Sequence, residues 1–438
     1  MPTIVDILTD NDSGEPVPLF VKDSILYISE LYGGNPDNKG SISKLDLSTG
    51  TKTSLSGWLS RLACWGGVVD LKNNKIYIVG ESDDENGVLR ATLIILDLSS
   101  ETVSIVRHPS TGDCNELVAV ALDYRNNRLI VGERQTGGDT TGSDYPNGAG
   151  LWVIPLDDPT DTSKWSRVYE DPDGSEWRVL AIYGDELWAA QSHGNSAKNR
   201  IIKAPLNDLT SWTVVESYNN NFIPGLSVFG KRIGYVLRDD SNNIILKHST
   251  DGQTWSSITL ESNADAVGGR LQIFGKYALV LIDVPATGEL HVYIVDLDNN
   301  QVVYNTTLTG VHGGFNKAII PAGNALFFGY GGGATTPGYI KKLEFDTKYV
   351  LELDVSPPNP SPGTTVTLTA TLKDTDGNPV QGATIHFFAV HEIGEYLDHN
   401  TVEYIGNATT DSEGKASIKY TIPSDAKGKI WFRAVYEG

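Results

Sequence analysis

Asp70-Leu-Lys-Asn-Asn-Lys-Ile-Tyr-Ile-Val-Gly-Glu81 and Asp123-Tyr-Arg-Asn-Asn-Arg-Leu-Ile-Val-Gly-Glu133 are two copies of one unit. Each reads as a β-hairpin, because Asn-Asn tolerates the positive φ of a tight turn and the residues after it are apolar and β-branched. Working outward, the same unit recurs: an apolar strand, a short polar turn, a second apolar strand, a Gly-rich loop, then a third strand ending in an Asp or Asn turn. The second strands begin near Ile25, Ile76, Leu129, Leu187, Ile233, Ala278 and Ala325. Their spacing averages about 50 residues, the repeat length of a propeller blade. The third strands follow at Ile42 to Leu47, Leu93 to Leu98, Leu151 to Leu156, Ile201 to Leu206, Ile244 to His248, Val292 to Leu297 and Tyr339 to Phe345. The expected fold class is therefore all-β, a seven-bladed β-propeller over residues 1–348 followed by a small immunoglobulin-like β-sandwich over 349–438. The last blade lacks an outer strand of its own, and Thr3 to Leu8 is free to supply it and close the ring.

The composition agrees. The chain has 438 residues, 39% hydrophobic and 20% charged, with 45 Gly and 20 Pro, which suits many short strands joined by turns. Its formal charge of −21 repels phosphate, which excludes nucleic acid as a natural partner. There is no run of 18 apolar residues, so no membrane insertion is expected. Met1 to Asp12 lacks the pattern of a signal peptide, which implies either trimmed numbering or assembly inside a host cell. Cys64 and Cys114 both precede the first strands of neighbouring blades, and a disulfide between them is expected, with two buried thiols as the alternative. Asn11, Asn305 and Asn407 head glycosylation sequons.

The turn Ser249-Thr-Asp251-Gly252-Gln-Thr-Trp255 resembles the Asp-box of sialidase-type propellers, one residue short of the usual spacing, and Asp208-Leu-Thr-Ser-Trp212 and Asp161-Thr-Ser-Lys-Trp165 are degenerate relatives. The resemblance implies an Asp that caps its turn and a Trp that packs between blades, a structural role. No Arg-Ile-Pro motif is present near the N-terminus, so the catalytic signature of that family is absent.

After Val350 the pattern changes. Ser356-Pro-Pro-Asn-Pro-Ser-Pro-Gly363 precedes a period-two stretch from Thr364 to Leu372, which marks a new sandwich. Asp374-Thr-Asp-Gly377-Asn-Pro379-Val-Gln-Gly382-Ala383-Thr-Ile385-His-Phe387, with Thr410-Asp411-Ser-Glu-Gly414-Lys-Ala416, resembles the immunoglobulin-like repeats of bacterial and archaeal surface proteins and invasin-type adhesins. That family continues beyond its sixth strand, here Lys429 to Tyr436, with a closing strand. The bare edge implies a strand supplied by a partner, cover by Val350 to Val355, or a truncated chain.

Propellers gather the loops between second and third strands at one end of the axial channel, the usual place for a ligand. Here those loops run from Tyr32 to Gly40, Ser82 to Val88, Arg134 to Gly150, Ser192 to Asn199 and Tyr330 to Gly338, rich in Gly, Asn, Asp and Tyr. Polar and aromatic loops suit carbohydrate. Candidate ligand contacts are Tyr32, Trp65, Glu116, Tyr145, Trp177, Arg178, His193, Arg270, His312 and Tyr330, each weighed against packing between blades. His391-Glu392-Ile-Gly-Glu395 lacks the second His of a zinc-protease helix. Asp83-Asp84-Glu85 and Asp171-Pro-Asp173-Gly offer oxygen ligands for calcium without a full pattern, so no metal site, catalytic residue or cofactor is assigned.

The functional expectation is a non-enzymatic surface attachment protein, a virion spike or turret or a cell-surface adhesin, acting at an extracellular, cell-surface or virion-surface location. Its propeller would bind a cell-surface glycan or glycoprotein, and its sandwich would dock other structural proteins of a larger oligomeric assembly. The alternatives are a secreted carbohydrate-active enzyme, glycoside hydrolase or lyase, with an accessory immunoglobulin-like module, and a purely architectural protein.

Overall fold

The computed structural model describes residues 3–10, 15–31, 39–70, 73–108, 116–133, 149–171, 176–192, 199–220, 222–262, 264–309, 319–322, 325–330, 338–344, 349–391, 402–424 and 430–436. Seven antiparallel sheets, each built on four strands in simple up-and-down order, follow one another along the described chain. Blade 2 is typical, with strands Ala63–Asp70, Lys75–Asp83, Leu89–Asp97 and Thr102–Arg107. The alternation that predicts a strand is realised on both faces, since each sheet is covered by its neighbours. Ile76, Ile78, Ile94 and Leu96 pack toward blade 1, while Tyr77, Val79, Leu93 and Ile95 pack toward blade 3.

The sheets close into a ring, and every junction is a close contact. Leu19 of blade 1 lies against Gly67 of blade 2, and Gly66 against Val118 of blade 3. Trp177 of blade 4 donates from Nε1 to the Ala149 carbonyl of blade 3 at 3.1 Å, and Tyr183 donates to the Lys231 carbonyl of blade 5 at 2.9 Å. Ile223 and Gly268 form a parallel bridge between blades 5 and 6, and Arg270 donates to the Gly329 carbonyl of blade 7 at 3.1 Å. A Cβ on Gly329 would stand 1.9 Å from the Pro16 carbonyl oxygen of blade 1, so glycine alone admits this approach. The outer strand of blade 7 is Thr3–Asp10, antiparallel to Gly338–Glu344 with Thr3 opposite Glu344.

The fold class is thus the expected all-β one, a seven-bladed propeller followed by a small two-sheet sandwich. In the sandwich, Tyr349–Ser356, Thr365–Asp374 and Lys415–Thr421 form one sheet, and Val402–Thr409, Thr384–His391 and Ile430–Tyr436 the other. Val366, Leu368, Ala370, Leu372, Ile385, Phe387 and Ala389 fill the space between them. Val350 to Val355 pairs with Leu368 to Lys373, not with Ile430–Tyr436, so it adds no strand to the edge of the second sheet.

Cys114, expected to pair with Cys64 in a disulfide, lies outside the described residues. Cys64 is a free, buried thiol that packs with Leu19, Tyr27 and Ile42 of blade 1. Burial pushes its thiol up to about 12.

Candidate functional site

The ends of the second strands, the starts of the first and third, and the ends of the fourth meet at one end of the ring. This loop-bearing end carries a band of charged and amide side chains withdrawn from solvent. Glu30, Glu81, Glu116, Glu133, Asp171, Glu176, Gln191, Arg200, Arg270 and Asp283 are all buried. A carboxylate in that setting requires compensating donors, and the neighbouring strands provide them.

Glu30, Glu133 and Asp283 are compensated within their own blades, and Asp171, at the end of blade 3, is compensated from blade 4. Glu30 accepts from the Ser41 and Ser43 hydroxyls and from Lys52. Glu133 accepts from the Gly150 amide at 3.0 Å and from Trp152 Nε1 at 3.3 Å, with Arg167 Nη2 at 3.7 Å. Asp171 takes Gln191 Nε2 at 2.9 Å and is paired with Arg200, whose Nε donates to Gln191 Oε1 at 2.7 Å. Asp283 faces Arg270 at 3.3 Å. The carboxylates of Glu30, Glu133, Asp171 and Asp283 therefore act as fixed braces that tie strands together where the long loops leave the blades. None of them forms a free acid and base pair.

The expected contact residues divide into two sets. Tyr32, Tyr145, His193 and His312 lie outside the described residues, as does Asn11. The other six lie at this end. Arg178 is the extra residue of a β-bulge between Trp177 and Val179, held by Glu176 and by the Ser192 hydroxyl at 2.8 Å. Trp65 occupies the same kind of bulge between Cys64 and Gly66. A bulge breaks the strict alternation of a strand and re-aims one side chain, and it is common beside binding sites. Glu116 is buried immediately before the first strand of blade 3. Arg270 bridges blades 6 and 7. Trp177 is wholly enclosed, with Trp212 at 5.0 Å and Tyr169 at 6.1 Å between ring centres, so its role is packing between blades 3 and 4. Tyr330 is buried and stacked on Tyr339 at 5.0 Å, and burial raises its hydroxyl above the ordinary tyrosine range.

Asp84, weighed for calcium, is committed to its own turn. It accepts from the Asn86 and Val88 amides at 2.9 Å and pairs with Arg90 at 2.9 Å, and these bonds, that of Val88 first, hold its carboxyl below the usual range. Asp171 is taken by Arg200, and Asp173 lies outside the described residues. Among the described residues no cluster of three or more His, Cys, Asp or Glu could hold a metal ion. Asn305 and Asn407 are both exposed.

Reasoning from the sequence missed Glu30, Glu133, Arg200 and Asp283, and weighed Asp171 only as a calcium ligand. A signal was present. Val79-Gly80-Glu81 and Val131-Gly132-Glu133 repeat the acid at the same place, immediately after a glycine that admits a close approach, of Ala63 in the same blade at Gly80 and of Trp177 in the next blade at Gly132.

No protein-family model matches the chain, and no curated protein sequence does. Solved structures that it is similar to include a prolyl endopeptidase, at 12% identity and a TM-score of 0.49 over 86% of this chain. This chain covers 56% of that endopeptidase. The β-propeller domain of the trilobed protease from Pyrococcus furiosus is similar at 10% identity and a TM-score of 0.47, over 76% of this chain and 94% of that one. Kuenenia stuttgartiensis hydrazine synthase is similar at 14% identity and a TM-score of 0.47, over 73% and 93%. At these identities the likeness shows the fold alone. All three are enzymes or parts of enzymes and none of the three is an adhesin, so the expectation of a non-enzymatic attachment protein finds no support among them.

Proposed function

We propose that this chain is the substrate-recognition propeller of an enzyme, taking a polar substrate at its loop-bearing end. The observation that carries the reading is the segregation of the ring's two ends. Among the described residues, buried acids, arginines and amides are most numerous where the long loops leave, at Glu30, Glu133, Asp171, Arg200, Arg270 and Asp283, whereas the opposite end, with short hairpins and the sandwich, buries Asp70, Asp123 and Asp296. Buried charge is costly to maintain, and bracing a set of loops in one geometry is a use that justifies it. The polar and aromatic composition of those loops fits carbohydrate better than an apolar ligand.

The blade turns support their reading as relatives of the Asp-box. Asp161, Asp208 and Asp251 each accept from the amide two residues ahead, at 3.1, 3.1 and 2.8 Å. Trp165, Trp212 and Trp255, four residues after these aspartates, pack on His108, Trp177 and Trp188.

The test is a panel of chromogenic glycosides and peptide anilides assayed with the full chain, together with calorimetric titration of oligosaccharides. Saturable binding or turnover that is lost when 134–148 is replaced by a Gly-Ser linker supports the proposal. Absence of both across the panel, or binding indifferent to that replacement, overturns it.

A further inference from the structure

Of the seven hairpins that join first and second strands, two share one sequence, Phe229-Gly230-Lys231 in blade 5 and Phe274-Gly275-Lys276 in blade 6. The glycines take φ of 57° and 59°, the left-handed turn position that favours Gly. The other five hairpins read differently, such as Asp70 to Lys75 and Tyr183-Gly184-Asp185-Glu186. Phe229 and Phe274 pack on the blade cores and Lys276 lies 3.8 Å from Asp296, which leaves Lys231 to be explained.

The sandwich explains it. In the strand Thr384–His391, Ile385, Phe387 and Ala389 point into the sandwich core, which leaves His386 and Phe388 on the outer face of that sheet. That outer face meets the hairpins. Lys231 Nζ sits 4.8 Å from the centre of the Tyr404 ring, and the Arg433 guanidinium sits 5.0 Å from the centre of the Phe229 ring. A Cβ on Gly230 would stand 3.9 Å from Phe388. In blade 6, Lys276 is instead turned onto its own blade, 5.2 Å from the centre of the Tyr277 ring and 3.8 Å from Asp296. The two cation–π pairs run in opposite senses, a propeller cation on a sandwich ring and a sandwich cation on a propeller ring. Such reciprocity specifies one orientation more strongly than two pairs of the same sense.

We propose that the Phe-Gly-Lys hairpin of blade 5 is a clasp for the chain's own sandwich, holding it against that blade in one orientation and keeping it clear of the loop-bearing end. The clasp holds whatever the loops bind, so it stands or falls independently of the recognition reading. The test uses the full chain with Lys231→Glu and Arg433→Glu together, Lys231→Met as a milder variant, and Asp185→Lys on the blade 4 hairpin as the control. The Asp185 side chain is 93% exposed, and its ion pair with Arg125 joins blade 4 to blade 3, away from the sandwich. Small-angle scattering and calorimetry are the readouts. The expected result is a compact parent and control. The double variant has a larger radius of gyration and a sandwich transition split from that of the propeller, and Lys231→Met gives an intermediate shift. Exchange of Lys231→Tyr with Tyr404→Lys restores compactness. A parent whose scattering already requires a detached sandwich, or lysine variants that scatter and melt like the control, overturns the clasp.

Discussion

A side chain on Gly132 would occupy the place held by Trp177, since a Cβ there would stand 2.3 Å from the Trp177 Cβ. The junction of blades 3 and 4 therefore depends on a missing side chain on one sheet and the largest one on the next. Gly132→Ala is expected to destabilise the protein by about 1–3 kcal/mol through overpacking. Trp177→Ala is expected to cost about 3–5 kcal/mol through the cavity it leaves. Denaturant titration measures both, and a neutral Gly132→Ala would show that the junction is looser than described.

Asp171 and Arg200 form a buried pair completed by Gln191. Removing one partner strands the other, so Arg200→Met or Asp171→Asn alone should cost about 3–5 kcal/mol, whereas joint replacement should recover much of the loss. A double-mutant cycle decides it. Additive single losses would mean that the two do not act as a unit.

The outer strand of blade 7 comes from the other end of the sequence. Starting the chain at residue 15 removes Thr3–Asp10 and bares the edge of Gly338–Glu344. The expected result is a lower melting temperature and association that grows with protein concentration. Unchanged melting with no self-association would count against a closing role.

The Asp251 carboxyl is held below the usual range by the Thr254 and Gln253 amides, then by the Ser249 hydroxyl. A folded value below the unfolded one means that the carboxylate adds stability above the unfolded value of about 3.9 and loses it as pH falls toward the folded one. Asp46 and Asp97 are shifted the same way by their own turns. Asp251→Asn should therefore destabilise at pH 7 and flatten the loss of stability below about pH 4. An unaltered acid profile would remove the turn from the account.

Cys64 is buried and its thiol pushed up to about 12, so almost no thiolate exists at neutral pH. It should resist a thiol reagent in the native protein at pH 8 and react on unfolding without reductant. A Cys64 thiol that stays unreactive in denaturant would restore the disulfide.

What could be read from the sequence was local and repeated. Asn-Asn and Gly turns, apolar runs of strand length and a spacing of about 50 residues define blades because each hairpin is specified by its own residues. Part of the candidate site was legible in the same way, since Val-Gly-Glu recurs at the ends of the second strands of blades 2 and 3.

The rest depended on neighbours distant in sequence. Which face of its sheet Cys64 occupies was invisible to a reading that placed it only near a loop. Trp177, Arg178 and Arg270 read alike as polar-aromatic rim residues, but the packing of blade 4 on blade 3 encloses the first, a bulge re-aims the second, and Gly329 of the next blade engages the third. The seating of the sandwich belongs to the same class. Phe229 and Lys231 are ordinary hairpin residues until Arg433 and Tyr404 are brought against them. Short-range turn and strand preferences settle the repeating unit by themselves. Pairing between units is decided by burial and charge compensation, which exist only once the ring has closed.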